Sequence, residues 1–230
     1  FRRVLFRSKN LHKELAQLEA EGHIPYKIQE ENQQKRWQWK HYTSGVHYFA
    51  PTDPLEMGRY NDPTGITGIC YTADYAVVAI AESLGRHYQH NKAFILGLSD
   101  LKKAQIYTLA TTRKTKLIDI PKLQGILHIT ADQVMGKSYD ITQNIVDWAA
   151  NTPGLDYDGI TYSSRHYYGM CTAFWCRKHI IPPLVDISHC SLDLYTDCKK
   201  ENFPQNWPYQ DITGLEIITE TLHFKINDNE

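Results

Sequence analysis

Hydrophobic positions recur at helical spacing in three parts of the chain and cluster in short runs through much of the rest. In Asn10–Gly22 (NLHKELAQLEAEG), Leu11, Leu15 and Leu18 fall on one face and Gly22 supplies a stop, which reads as an amphipathic helix. Past Asp74, a residue type suited to capping, Val77, Ile80, Ala81, Leu84 and Tyr88 form a second apolar stripe. A third helix is predicted over Ile141–Asn151, with Ile145, Val146, Trp148 and Ala149 inward. Strands are predicted at Ile69–Ala73 (ICYTA), Ala93–Leu98 (AFILGL), Ala104–Leu109 and in the alternating tail after Gly214 (LEIITETLHFKI). Leu117–Ile120 is short and apolar, Tyr157–Ser164 reads as a turn followed by a strand, and Thr172–Arg177 as a further buried segment. The polar run Gln29–Lys40 (QEENQQKRWQWK) has helical or linker composition, with Trp37 and Trp39 as apolar anchors. Several short strands with two or three helices, outside regular βαβ alternation, predict an α+β fold.

At 230 residues the chain suffices for one well-buried domain with a short extension. Its 25 basic and 26 acidic residues balance, so no electrostatic footprint for nucleic acid or an anionic membrane is visible. No apolar run approaches the ~20 residues of a membrane span. The odd count of five cysteines lacks paired CxxC modules, which points to reduced thiols and a cytoplasmic setting. Cys171, Cys176 and His179 make only a weak zinc candidate, and no metal is expected. The first eight residues, FRRVLFRS, translate TTC-AGA-CGT-GTG-CTC-TTC-CGA-TCT, a common sequencing-adapter read, and are set aside as an expected artefact. The remainder divides into an N-terminal helical extension (9–45) and a main domain (46–230).

Candidate chemistry concentrates in Gly58–Ser83. No GxGxxG, P-loop or GxSxG elbow is present. Instead, one arginine (Arg59) lies in a turn-forming GRYNDP loop, one tyrosine (Tyr71) on a short strand, and one acid (Glu82) at the edge of an apolar helix face. Taken singly these read as a solvated loop arginine, a core tyrosine and a structural ion pair. Taken together they read as a ligand pocket: a guanidinium fork for a diphosphate, a ring for stacking, and a carboxylate to offset positive charge on a sugar. Farther on, YDGITYSSR delivers Ser164 and Arg165 from a strand end, where a hydroxyl commonly bonds only backbone.

In order, residue type and spacing, GRYNDP, CYTA, AESLG, DGITYSSR and CTAFW (Cys171–Trp175) resemble the RES family, named for its Arg, Glu and Ser. The resemblance runs from about Val46 to Arg177 and assigns those three letters to Arg59, Glu82 and Ser164. Tyr60 stands where the family commonly has Trp, and Ala73 where Ser is common, leaving Thr72 as the nearby hydroxyl. Asn10–Lys40 and the stretch after Ile180 fall outside the shared core.

What the resemblance implies is an ADP-ribosyltransferase-like split β-sandwich with flanking helices, holding NAD in a folded pose. It further implies a bacterial toxin paired with an Xre-type helix-turn-helix antitoxin, consuming NAD as substrate rather than cofactor, with phosphate or water as acceptor. Arg59, Glu82 and Ser164 would be catalytic, and Tyr60, Asn61, Tyr71, Thr72 and Arg165 substrate-binding. Two alternatives share the scaffold: transfer of ADP-ribose onto a protein, and a non-catalytic module that only docks NAD or a partner. Homo-oligomerisation is a further expectation, with no nucleic acid or membrane as partner.

Overall fold

The structure, a computed structural model, describes residues 2–90, 95–176 and 183–227, without the side chains of residues 2–9, 89 and 90. The chain opens with α1 (Arg2–Ala20), β1 (Tyr26–Gln29), β2 (Gln33–Trp39), β3 (Gly68–Ala73) and α2 (Ala76–His90). There follow β4 (Leu96–Gly97), α3 (Leu98–Lys103), β5 (Ala104–Thr111), β6 (Thr115–Asp119), α4 (Ile120–Ile126), α5 (Ala131–Met135) and α6 (Asp140–Asn151). The last part holds β7 (Gly159–Ser163), β8 (Met170–Cys176), β9 (Leu184–Ser191), β10 (Thr196–Asp197), β11 (Ile212–Thr213), α7 (Gly214–Glu216) and β12 (Ile226–Asn227).

Eight strands form one mixed sheet in the order β1-β6-β7-β8-β3-β2-β5-β9, antiparallel except where β6 meets β7. The sheet is nearly cut in two. β2 pairs with β5 along its whole length, from Gln33↔Ala110 to Trp39↔Ala104, but with β3 only at Lys35↔Ala73. Beyond Lys35 the strands part, and Phe49 from the intervening loop exchanges both backbone hydrogen bonds with Ile69 (2.9 and 2.8 Å). Unpaired strand edges need other partners, so such a parting makes room for an inserted loop and a cavity. The expected α+β class and its split sheet are borne out.

Side chains alternate across the sheet as the pleat requires. Ile69, Ala73, Ile106, Ile118, Ala173 and Trp175 face the larger core, which α1, α2 and α6 cover. Cys70, Tyr107, Leu109, Leu117 and Phe174 face a smaller one, against Val46 and Tyr48. The helix predicted over Asn10–Gly22 lies within α1; it ends where Gly22 takes φ +70°, with Leu11 and Leu15 buried. α6 buries Ile145, Val146, Trp148 and Ala149 as expected. All five cysteines are free thiols. Among the described residues no helix is long and apolar enough to cross a membrane.

Five expectations are corrected. Gln33–Trp39 is a strand inside the sheet rather than helix or linker, so the predicted extension over 9–45 supplies two of its strands. Its polar side chains are buried because β2 is covered on both faces, with Gln34, Arg36 and Gln38 opposite Trp37. The tail after Gly214 is helical first: Thr213 and Glu216 form a capping box, and Ile217, Ile218 and Thr221 bury at helical spacing before the short β12. Asp74 accepts from Gln34 rather than capping α2, whose Val77 amide is taken by Asn202 Oδ1 at 2.9 Å. Tyr88 is exposed rather than part of the stripe. Within Ala93–Leu98 the described strand is Leu96–Gly97 alone, and Leu98 opens α3. Arg177 and His179 lie outside the described residues, so the zinc candidate does too.

Candidate active site

The Arg59 loop is held in place mainly by its backbone. Gly58 N donates to Asn61 Oδ1 (2.7 Å), and Tyr60 N donates to the Tyr71 hydroxyl (3.1 Å), which itself donates to Asn61 Oδ1. From α6, Thr142 Oγ1 donates to the Arg59 carbonyl and Gln143 Nε2 to that of Gly58. A Cβ at position 58 would stand 2.9 Å from both Asn61 Oδ1 and the Tyr71 oxygen, so only glycine fits there. Asp62 closes the loop by accepting from Thr64, Thr67 and Asn151. Burial pushes its carboxyl up, but those hydrogen bonds outweigh burial and hold it below the usual range.

This loop sets the Arg59 guanidinium, 6% exposed, against the edge of the packed Tyr60 and Tyr162 pair, 5.0 and 4.9 Å from their centroids. Its Nη2 stands 4.0 Å from Glu82 Oε2. Burial opposes the guanidinium's charge, and the two tyrosines and Glu82 more than offset that, raising its pKa. Among the described residues neither terminal nitrogen has a hydrogen-bond partner. Buried polar groups are nearly always paired, and an orphan costs about 1–3 kcal/mol.

Glu82 rises from α2 with its other oxygen fixed by the β7–β8 connection. Ser164 Oγ donates to Oε1 at 2.6 Å and the Arg165 amide at 3.0 Å. Ser164 in turn accepts from the amides of His166 (3.2 Å) and Tyr167 (3.3 Å), which fixes where its hydroxyl points. Arg165 spreads its guanidinium over the Tyr139 hydroxyl (3.0 Å), the Met135 and Gly136 carbonyls, and His166 Nε2 (3.3 Å). Burial holds the His166 imidazole below its ordinary pKa; Arg165 and Arg59 work the same way, and Glu82 works against them.

A cavity of about 630 Å³ opens where β2 leaves β3. Arg59, Asn61, Tyr71, Thr72, Glu82 and Arg165 line it, so three separate stretches of sequence converge on one space. Ser164 stands behind Glu82 and acts through it. Tyr60, expected to touch substrate, instead has no exposed surface; it is stacked on Tyr162 at 4.3 Å and supports Arg59 from below. Thr72 lines the cavity, but its hydroxyl is engaged by Gln34 Oε1 (3.1 Å) and the Thr172 carbonyl (3.3 Å). Sequence reasoning missed further lining residues: Trp37 and Trp39 of β2, and Arg86 and His87 of α2. For Arg86 a signal existed, since position i+4 from Glu82 shares its helix face. For the tryptophans it did not, because their strand looked like a linker.

The model of the RES domain matches residues 24–194, beginning ahead of β1 and ending past β9, and so takes in three strands (β1, β2 and β9) that the sequence alone had placed outside the shared core. Among solved structures, the chain is similar to one chain of the crystal structure of the M. tuberculosis MbcT–MbcA toxin–antitoxin complex. The two are 14% identical with a TM-score of 0.58, over 85% of this chain and 91% of that one, a likeness of fold. Comparison with curated proteins found no match. The Arg59, Glu82 and Ser164 arrangement sits inside the matched region, and the chain belongs to the RES domain family.

Proposed function

We propose that the protein consumes NAD by breaking the bond between nicotinamide and ribose, with phosphate or water capturing the sugar. The observation that carries this reading is the setting of Glu82. One carboxylate oxygen is pinned by Ser164 and the Arg165 amide, and the other is 4.0 Å from a buried guanidinium, beside a cavity sized for a small organic ligand. When the glycosidic bond breaks, its electron pair leaves with nicotinamide, which departs neutral, and positive charge develops on the ribose. A carboxylate already fixed in place stabilises that charge without reorganising as it forms. Glu82 also has the geometry to accept hydrogen bonds from the ribose hydroxyls. Arg59, with two donors lacking acceptors, suits the diphosphate. Tyr71 packs its ring against nicotinamide or its ribose. Arg165, tied to the α5–α6 turn, shapes the end of the site near Glu82.

On this reading the protein is the toxin of a toxin–antitoxin pair, acting in a bacterial cytoplasm. Its partner would be an Xre-type antitoxin that covers the cavity mouth. The experiment follows NAD loss and nicotinamide release with and without inorganic phosphate, for the wild type and Glu82→Gln. Glu82→Gln keeps the shape and removes the charge, so turnover falls by roughly 10²–10³ with the fold intact. Unchanged turnover in the variant rules the assignment out. A phosphate requirement identifies phosphorolysis, and indifference to phosphate identifies hydrolysis.

A further inference from the structure

The β2 wall of the cavity is aromatic. Trp37 and Trp39 sit two residues apart on β2, hence on one face, where that strand has lost its β3 neighbour. Trp37 is 8% exposed and meets Trp39 edge to face, with centroids 4.7 Å apart. Trp39 is only half-buried and lines the cavity. His87 of α2 approaches both, at 6.3 Å from Trp37 and 6.5 Å from Trp39. A partly exposed indole face that lines a cavity and is braced by a second indole is poorly explained as packing alone.

We propose that Trp39 is the stacking shelf for the adenine of the dinucleotide, braced by Trp37. Spacing along α2 supports this assignment. His87 lies five residues beyond Glu82, an axial rise of roughly 7.5 Å. Arg86, also in the cavity wall, lies between them in sequence at the level of the diphosphate, with its Nη2 fixed on the Glu56 carbonyl at 2.6 Å. A dinucleotide with nicotinamide ribose at Glu82 and adenine at Trp39 is therefore folded back on itself. The inference rests on the reading of the cavity as an NAD site, and it names which residues recognise the half of NAD that does not react.

The test compares NAD with nicotinamide mononucleotide, which carries the same scissile bond without the adenosine half. Binding of AMP is measured separately by calorimetry. For Trp39→Ala the preference for NAD over the mononucleotide falls roughly 5–150-fold, the range for loss of one base–aromatic stack. The change is carried by KM for NAD, AMP affinity falls by a similar factor, and Trp39→Phe restores most of both. If the alanine variant fails to fold, Trp39→Leu keeps apolar volume without an aromatic face and reads the same ratio. Equal losses toward both substrates, or AMP affinity indifferent to position 39, overturn the proposal. So does a wild type that does not bind AMP. A wild type that cleaves neither substrate defeats the activity reading instead, and the AMP measurement still decides the shelf.

Discussion

The corner that holds Glu82 and the β2 wall across the cavity are built in opposite ways. In the corner, side-chain hydrogen bonds hold the site: Ser164 and the Arg165 amide fix Glu82, Thr142 fixes the Arg59 carbonyl, and Asn61 and Asp62 close the loop. The wall rests on strand pairing. β2 pairs with β5 some 70 residues later, and buried Arg36 donates to the carbonyls of Gly45 and His47 and contacts Cys70 Sγ, tying the inserted loop to the split edge. The corner positions a charge, and the wall keeps a gap open. Damage to the first therefore appears in turnover, and loss of the Arg36 ties that hold the second appears in stability.

Arg36→Met sets up the largest contrast. It strips a donor from two carbonyls, each worth about 1–3 kcal/mol when left unsatisfied. The denaturant midpoint drops accordingly, while kcat of the remaining folded protein stays near the wild-type value. A large fall in kcat with stability intact erases the distinction drawn between wall and corner. Ser164→Ala is the reciprocal change. It removes one hydrogen bond to a charged acceptor, worth about 1.5–3 kcal/mol, so turnover falls roughly 10–100-fold while the unfolding midpoint moves little. A Ser164→Ala protein that turns over normally shows that Glu82 needs no positioning.

The smallest effect concerns His166, on the corner side of the cavity. Burial depresses its pKa, with Glu82, Arg165 and Arg59 as its charged neighbours. The unfolded chain therefore binds its proton more readily than the folded one. Its contribution to stability is complete above pH ~6.5 and is lost as pH falls through the depressed folded value. Unfolding midpoints taken between pH 8 and 5 should decline on the acid side, and His166→Asn should flatten that decline. A slope unchanged by the substitution assigns the acid sensitivity to other groups, such as His47, which burial also lowers.

The same contrast explains what could be read in the sequence. Arg59, Tyr71 and Glu82 fall within 25 residues, and turn chemistry, a short strand and an apolar helix stripe place each in register with the others. Ser164 and Arg165 follow a strand that ends in a hydroxyl, again a local signal. β2 offered none, because a strand covered on both faces loses the alternation that identifies it, and QQKRWQW has the composition of a linker. Asp74 looked like the cap of α2, yet the amide is held by Asn202 from 125 residues away, a partner that no local pattern reveals. The C-terminal tail was legible in part: Thr213 and Glu216 carry the T-x-x-E spacing of a capping box, which outweighed the alternation after them.

The most direct measurement is a crystal structure of Glu82→Gln with NAD bound, since the variant retains the cavity and slows cleavage. The account predicts the nicotinamide ribose hydroxyls within hydrogen-bond reach of residue 82, the diphosphate beside Arg59 and Arg86, and the adenine on Trp39. A dinucleotide bound elsewhere, or one reversed so that adenine meets residue 82, contradicts it.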